Sequence, residues 1–137
     1  SDWSSDVCSS DLSGKNPLNS VNCIVSKNEF LEMQSEVQNV FVSDDMARYI
    51  VSLISATRKH PLLSRGASPR ATLSLTDMAK AVAFAEGRDY IVPRDVQNIF
   101  ICTVNHRIIL NAKASASKKN SEEILHEILR KTPKPRT

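Results

Sequence analysis

Met46, Ile50, Leu53 and Ile54 recur at i, i+4, i+7 and i+8, while Arg48, Ser52, Ser55 and Lys59 fall on the opposite side. Apolar residues at that period make one stripe along an α-helix, and the stripe must be laid against other elements. Ser43 or Asp44 is placed to cap the start of this helix. Pro61 stops it near Lys59, because the residue before a proline is pushed out of the α region. A chain so constrained builds its core by packing helix on helix.

The flanking segments read the same way. Ser26-Lys27-Asn28-Glu29 has the form of a capping box, opening a short helix to about Gln38 with Phe30, Leu31, Met33 and Val37 roughly on one stripe. Val40-Phe41-Val42 suits a brief extended segment, and Pro61 to Ala67 is a loop. Ser68-Pro69-Arg70 predicts a helix start with a serine N-cap, proline at N1 and arginine at N2. That helix runs to about Glu86 on Ala71, Leu75, Met78, Ala79, Val82 and Ala85, and Gly87 ends it. Asp89 to Val92 is extended. Pro93 and Asp95 open a fourth helix whose core face is Val96, Ile99, Phe100 and Val104, with His106 and Arg107 near its end. Asn111 to Lys119 reads as a polar linker without core residues, and Asn120 or Ser121 caps a last helix carrying Ile124, Leu125, Ile128 and Leu129. The expected fold is all-α: a small bundle of about five helices with at most two very short extended segments.

Composition sets outer bounds. The 137 residues suffice for one domain, and three Gly with six Pro exclude collagen-like and low-complexity chains. Ser1 to Leu12 carries a near-repeat, Ser-Ser-Asp-Val and Ser-Ser-Asp-Leu, and no helical or strand periodicity. It resembles translated sequencing-adapter sequence, or else a disordered polar tail, and is set aside from the fold. Without Asp2, Asp6 and Asp11 the acids fall from 15 to 12 against 18 bases, so the net charge over 13–137 is +6 rather than +3. Cys23 and Cys102 are then the remaining cysteines. They have no metal-ligand spacing and read as buried thiols of a reducing cytosol. No apolar run approaches the ~20 residues that span a bilayer, so the expectation is a cytoplasmic protein without a membrane segment.

No complete active site is encoded. Gly14-Lys15 looks like the end of a phosphate-binding loop, but Ser9 and Asn16 stand where that motif needs Gly and Ser or Thr. Arg70 is more informative. A cation at the start of a helix faces the positive end of the dipole and costs roughly 0.3–1 kcal/mol. An anion there would offset that, since free N–H groups and a guanidinium fork both suit phosphate oxygens. Solvation, or pairing with Asp77 or Asp89, is the alternative, and physics alone leans to it. Arg58-Lys59-His60 reads as a charge cluster matching the dipole at a helix end, and His106 as a hydrogen-bonded structural histidine. Lys118, Lys119, Arg130, Lys131, Lys134 and Arg136 make the C-terminal third basic, as a solvated face or tail.

One set of residues, in order, carries a family pattern: Asn16-Pro17-Leu18, Val21, Val25-Ser26, Val40-Phe41-Val42, Tyr49-Ile50-Val51 and Ala56-Thr57-Arg58-Lys59-His60-Pro61. Gly66-Ala67-Ser68-Pro69-Arg70-Ala71, then Gly87-Arg88-Asp89-Tyr90-Ile91-Val92-Pro93, Asp95-Val96, His106-Arg107-Ile108 and Thr132-Pro133-Lys134-Pro135 complete it. Across about residues 16 to 135 the chain resembles the C-terminal lid domain of MoxR-family AAA+ ATPases. The resemblance implies a lid over 13–137 whose large ATPase domain precedes it. Arg70 would be the catalytic sensor 2 residue contacting the γ-phosphate of ATP, with Ser68 and Pro69 beside it at the nucleotide. ATP and Mg²⁺ would be bound by the full-length protein, not by this segment alone, and the lid itself offers no metal site.

By the same implication the partners are the protein's own large domain, further copies in a ring of the hexameric kind, and von Willebrand factor A domain proteins. The activity would be chaperone-like remodelling. Walker A, Walker B, sensor 1 and the arginine finger belong to the large domain and are missing from this sequence, so the segment by itself is not expected to hydrolyse ATP. Two alternatives stand beside this reading. One is a stand-alone basic helical module binding nucleic acid, motivated by the +6 charge and by a helix-extended-helix pattern around Tyr90 to Val96 that loosely resembles histone-fold segments. The other is the lid of a chelatase or helicase-type AAA+ protein, which the Gly66 to Ala71 and Gly87 to Pro93 segments disfavour.

Overall fold

A computed structural model of the chain describes residues 20–135. The reading of residues 1–12, the Gly14-Lys15 comparison, Asn16-Pro17-Leu18 and Arg136 lie outside them. The backbone divides between Glu32 and Met33 into two units. In the first, the expected capping box forms: the Glu29 N–H donates to Ser26 Oγ at 3.3 Å, and the Ser26 N–H to Glu29 Oε2 at 2.7 Å. Those two bonds hold the Glu29 carboxyl below the usual carboxylate range. They open α1 (Lys27–Asn39). The apolar stripe of α1 is not a core face: Phe30, Leu31 and Met33 are exposed, and no residue of the helix is buried.

The second unit holds the core. Ser43 caps α2 (Asp44–Lys59), accepting from the Met46 N–H at 3.3 Å, with Asp44 and Asp45 in the first turn and Arg58 and Lys59 in the last, as the dipole favours. The expected stripe of Met46, Ile50, Leu53 and Ile54 is buried, joined by Tyr49 and Thr57. In α3 (Arg70–Ala85) the buried row is Ala71, Leu75, Ala79 and Ala83, an i, i+4, i+8, i+12 ridge of mostly small residues that lets a neighbour approach closely. Met78, read as core, is exposed, one step off that ridge. Opposite lies α4 (Pro93–Val104) with Val96, Phe100 and Val104 fully buried, and α3 packs chiefly on it. Ile124 and Leu125 of α6 (Ser121–Lys131) close the core against α2 and α4. Asn120, with Glu123, forms the capping box that opens α6.

Between α3 and α4 the chain turns at Gly87, whose φ of 74° lets the Gly87 N–H reach Phe84 O and the Arg88 N–H reach Ala83 O, both at 2.9 Å. The two segments read as extended, residues 40–42 and 89–92, lie together in the structure, a pairing the sequence did not show: Phe41 and Tyr90 form a parallel bridge, with the Phe41 N–H on Asp89 O at 2.7 Å.

Three further expectations need correction. The loop after Pro61 contains β1 (Leu63–Arg65), which pairs antiparallel with β2 (Ile109–Leu110) beyond a short 3-10 turn at Asn105–Arg107. A register irregularity between Leu63 and Arg65 leaves Ser64 to bond Ile109 O and Leu110 O through its hydroxyl, each at 3.2 Å. The segment read as a polar linker forms a sixth helix, α5 (Ala112–Ala116), whose Ala114 is fully buried. Its three alanines, Ala112, Ala114 and Ala116, alternate with polar residues, so no helical period shows in the sequence. Finally, Cys23 and Cys102 are exposed, not buried, because Cys102 falls on the solvent side of α4. The fold class stands: among the described residues, a small, mostly helical domain with one two-stranded sheet. No helix among the described residues is long and apolar enough to cross a membrane.

Candidate functional site at the start of α3

The site begins on the last turn of α2. Thr57 is fully buried there, and its Oγ1 donates to Ile54 O at 2.6 Å while accepting from the Ala67 N–H at 2.9 Å. Arg58 Nε donates to Ala67 O at 2.8 Å. Both backbone groups of Ala67 are therefore held by neighbouring α2 side chains, and Ala67 itself is 1% exposed. Gly66 makes the approach possible: a Cβ there would lie 2.6 Å from the Arg58 N and Cα atoms and from the Thr57 carbonyl carbon. Only glycine fits so close to another backbone.

From this seat the chain emerges into solvent as Ser68, Pro69 and Arg70, all exposed. The expected serine cap does not form. Pro69 already has α geometry, φ −54° and ψ −30°, and no side chain caps the helix. The first turn closes through backbone bonds instead, the Ala71 N–H to Ser68 O at 2.9 Å and the Thr72 N–H to Pro69 O at 3.0 Å. Arg70 is thus the first residue of α3, not its second.

No acid occupies the first turn of α3. Among the described residues the Arg70 guanidinium makes no hydrogen bond or ion pair, so pairing with Asp77 or Asp89 is not found. An unpaired, exposed cation at the positive end of a helix is electrostatically unfavourable by itself. The same arrangement favours an anion that the planar fork can grip by two N–H groups.

Other candidates resolve differently. His60 Nδ1 accepts from the Leu62 N–H at 3.3 Å, which makes it part of the turn after α2. Burial lowers its pKa foremost; Glu127 pulls the other way, and Lys131 and Lys119 add to the lowering. Glu127 bonds Lys131 and Lys119 at 2.6 and 3.0 Å, which pulls its carboxyl down to about 2. His106, expected as a hydrogen-bonded structural residue, is exposed and without a hydrogen bond among the described residues, since the 3-10 turn carries it outward. It lines a groove of about 450 Å³ with Ser74, Asp77 and Cys102. A wider groove of about 790 Å³, bordered by Asp45, Tyr90, Arg94 and Lys134, includes none of Ser68, Pro69 and Arg70. Among the described residues no group of three or more His, Cys, Asp or Glu is placed to hold a metal ion.

The arginine at the helix start was legible from sequence; the Thr57 and Arg58 seat beneath it was not. The one signal in the sequence was Gly66 itself; only the structure shows that its φ is not positive and that it serves a close approach instead of a turn.

Residues 55–128, more than half of the chain, match the family model of the AAA lid domain, and they contain Thr57, Arg58 and the Gly66 to Arg70 segment of this site. The chain belongs to the AAA lid domain family. This lid is 35% identical over 113 residues to the uncharacterised protein YeaC of Bacillus subtilis, an alignment covering 82% of the chain and 35% of YeaC. It is 31% identical over 121 residues to the chaperone MoxR1 of Mycobacterium tuberculosis, covering 82% of the chain and 32% of MoxR1. The crystal structure of a candidate ATPase from Cytophaga hutchinsonii superposes with a TM-score of 0.82 at 36% identity, over 93% of this chain and 41% of that one. The lid is thus homologous to MoxR-type proteins, and the chain spans about a third of the length of these curated relatives.

Proposed function

We propose that this lid, taken over residues 13–137, serves a MoxR-type ATPase in which Arg70 is the residue that senses the nucleotide. ATP and Mg²⁺ would be held by a large domain of the same protein, with Ser68 and Pro69 lying beside the phosphates at the lid. The observation that carries this reading is the state of Arg70: exposed, unpaired among the described residues, and set at a helix N-terminus that favours negative charge.

As the γ-phosphoryl transfers, charge spreads over its equatorial oxygens, and a preorganised guanidinium stabilises that charge without reorganising. Arg70 would supply this one electrostatic element; the phosphate-binding loop and the group that orients water would come from the large domain. Because the contact forms with ATP and is lost with product, the lid would swing against the large domain as the nucleotide turns over. In a ring of copies, a hexamer in our reading, that swing would drive chaperone-like remodelling of partner proteins in the cytoplasm, von Willebrand factor A domain proteins among them. The name chaperone given to MoxR1 supports the direction of this reading.

The test is Arg70→Ala in a protein that joins this lid to a large ATPase domain. ATPase activity should fall at least tenfold, about 1.4 kcal/mol of transition-state stabilisation. Arg70→Lys keeps the charge but not the fork and should recover only part of it. An unchanged rate in Arg70→Ala overturns the assignment.

A further inference from the structure

We infer that Thr57 is a positioning residue for Arg70, acting through Ala67, and that Arg58 shares the task. The inference rests on the reading that Arg70 meets the nucleotide.

A guanidinium contributes to a transition state only if the backbone that carries it is held in register. Ser68 gives α3 no side-chain cap, so within that helix only backbone bonds close the first turn and no side chain fixes its register. The register comes from α2 instead. Thr57 Oγ1 takes the Ala67 N–H, Arg58 Nε takes the Ala67 carbonyl, and Gly66 lies against the α2 backbone where a Cβ would collide. Arg70 follows Ala67 by three residues, and the intervening Pro69 has its φ locked by the ring. The placement of Ala67 is therefore transmitted to Arg70 with little slack.

Thr57 differs from its neighbours in one useful respect. It is fully buried, so it cannot touch a nucleotide, and any effect of its hydroxyl on turnover must pass through the seat. Arg58 is exposed, and its Nη groups make no hydrogen bond or ion pair among the described residues. The Arg58→Ala variant should therefore keep the fold.

The experiment uses Thr57→Val, which keeps the shape and removes the hydroxyl, and Thr57→Ser, which restores it. In the full-length protein T57V should lower kcat at least fivefold with KM within twofold of the parent, and T57S should return kcat to within twofold. In the 137-residue chain, T57V should speed amide exchange at Ala67 and Ala71 at least tenfold while Leu53 and Phe100 keep their protection. If T57V does not fold, R58A carries the same exchange measurement and should lower kcat at least threefold. A folded T57V with parental kcat, beside an impaired R70A, overturns the inference and leaves the Arg70 reading standing. An unimpaired R70A overturns both.

Discussion

Arg88 grips both carboxylate oxygens of Asp95, at 2.8 Å through Nη1 and 2.6 Å through Nη2, and so ties the residue just past α3 to the first turn of α4. Asp95 is 1% exposed and also accepts the Val92 N–H at 2.8 Å. Burial pushes its pKa up, but these hydrogen bonds and the Arg88 charge outweigh burial and hold the carboxyl below its ordinary value. A folded pKa below the unfolded one, ~3.9, gives stability that is complete above the unfolded value and is lost as pH falls through the folded one. Asp95→Asn should therefore lower Tm at pH 7 by roughly 5 °C or more. The gap from the parent should shrink as pH drops below about 4. Thermal melts across pH 2–7 check both points, and equal Tm values at pH 7 would show the pair to be neutral.

Phe100 is fully buried where α4 faces the alanine row of α3, whereas Leu73 on the outer side of α3 is 67% exposed. Phe100→Ala should cost about 3–5 kcal/mol through lost transfer energy and an unfilled cavity. Leu73→Ala should stay within about 0.5 kcal/mol. Urea unfolding of the two variants measures the contrast, and similar losses would mean that the core is misassigned.

Two backbone positions should respond in opposite directions. Gly66→Ala forces a Cβ into the α2 backbone and should destabilise by at least about 1–3 kcal/mol. Lys118, with φ 53°, occupies the left-handed position after α5, where the Lys118 N–H reaches Ser115 O and the Lys119 N–H reaches Ala114 O. Lys118→Gly relieves that strain and should stabilise by about 1 kcal/mol. Chemical denaturation reads both signs.

The 137-residue chain should turn over no ATP with Mg²⁺ present, since one arginine supplies a single element of phosphoryl transfer. Duplex DNA at low salt should be bound no better than a neutral polymer. Salt-sensitive DNA affinity would revive the stand-alone basic module, and measurable turnover would overturn the lid reading.

The helices were legible because their signals are local: Ser43, Asn120 and Pro93 open helices, Gly87 closes one, and the Met46 to Ile54 stripe gives its period directly. The strands were not, because Leu63 and Leu110 acquire meaning only when distant segments meet. Ser68 misled for a related reason. Its type favours a cap, but Ala67 is already fixed by α2, and the turn closes through the Ser68 carbonyl rather than its hydroxyl. The clash with the helix dipole singles out Arg70, but physics alone leans to solvation or pairing and only the family resemblance turns it toward a nucleotide, whereas the seat depends on a threonine hydroxyl bonding ten residues along the chain, which no spacing rule reports.

The hydroxyl of Ser64 joins residues 45 and 46 positions apart, while only residues 86–92 separate α3 from α4. Closing the longer loop costs more chain entropy before any contact repays it. The α3–α4 hairpin is therefore expected to nucleate folding, with the two-stranded clip forming last. In kinetic terms, a substitution at Leu63 should speed unfolding and leave the folding rate almost untouched, whereas one at Leu75 should slow folding.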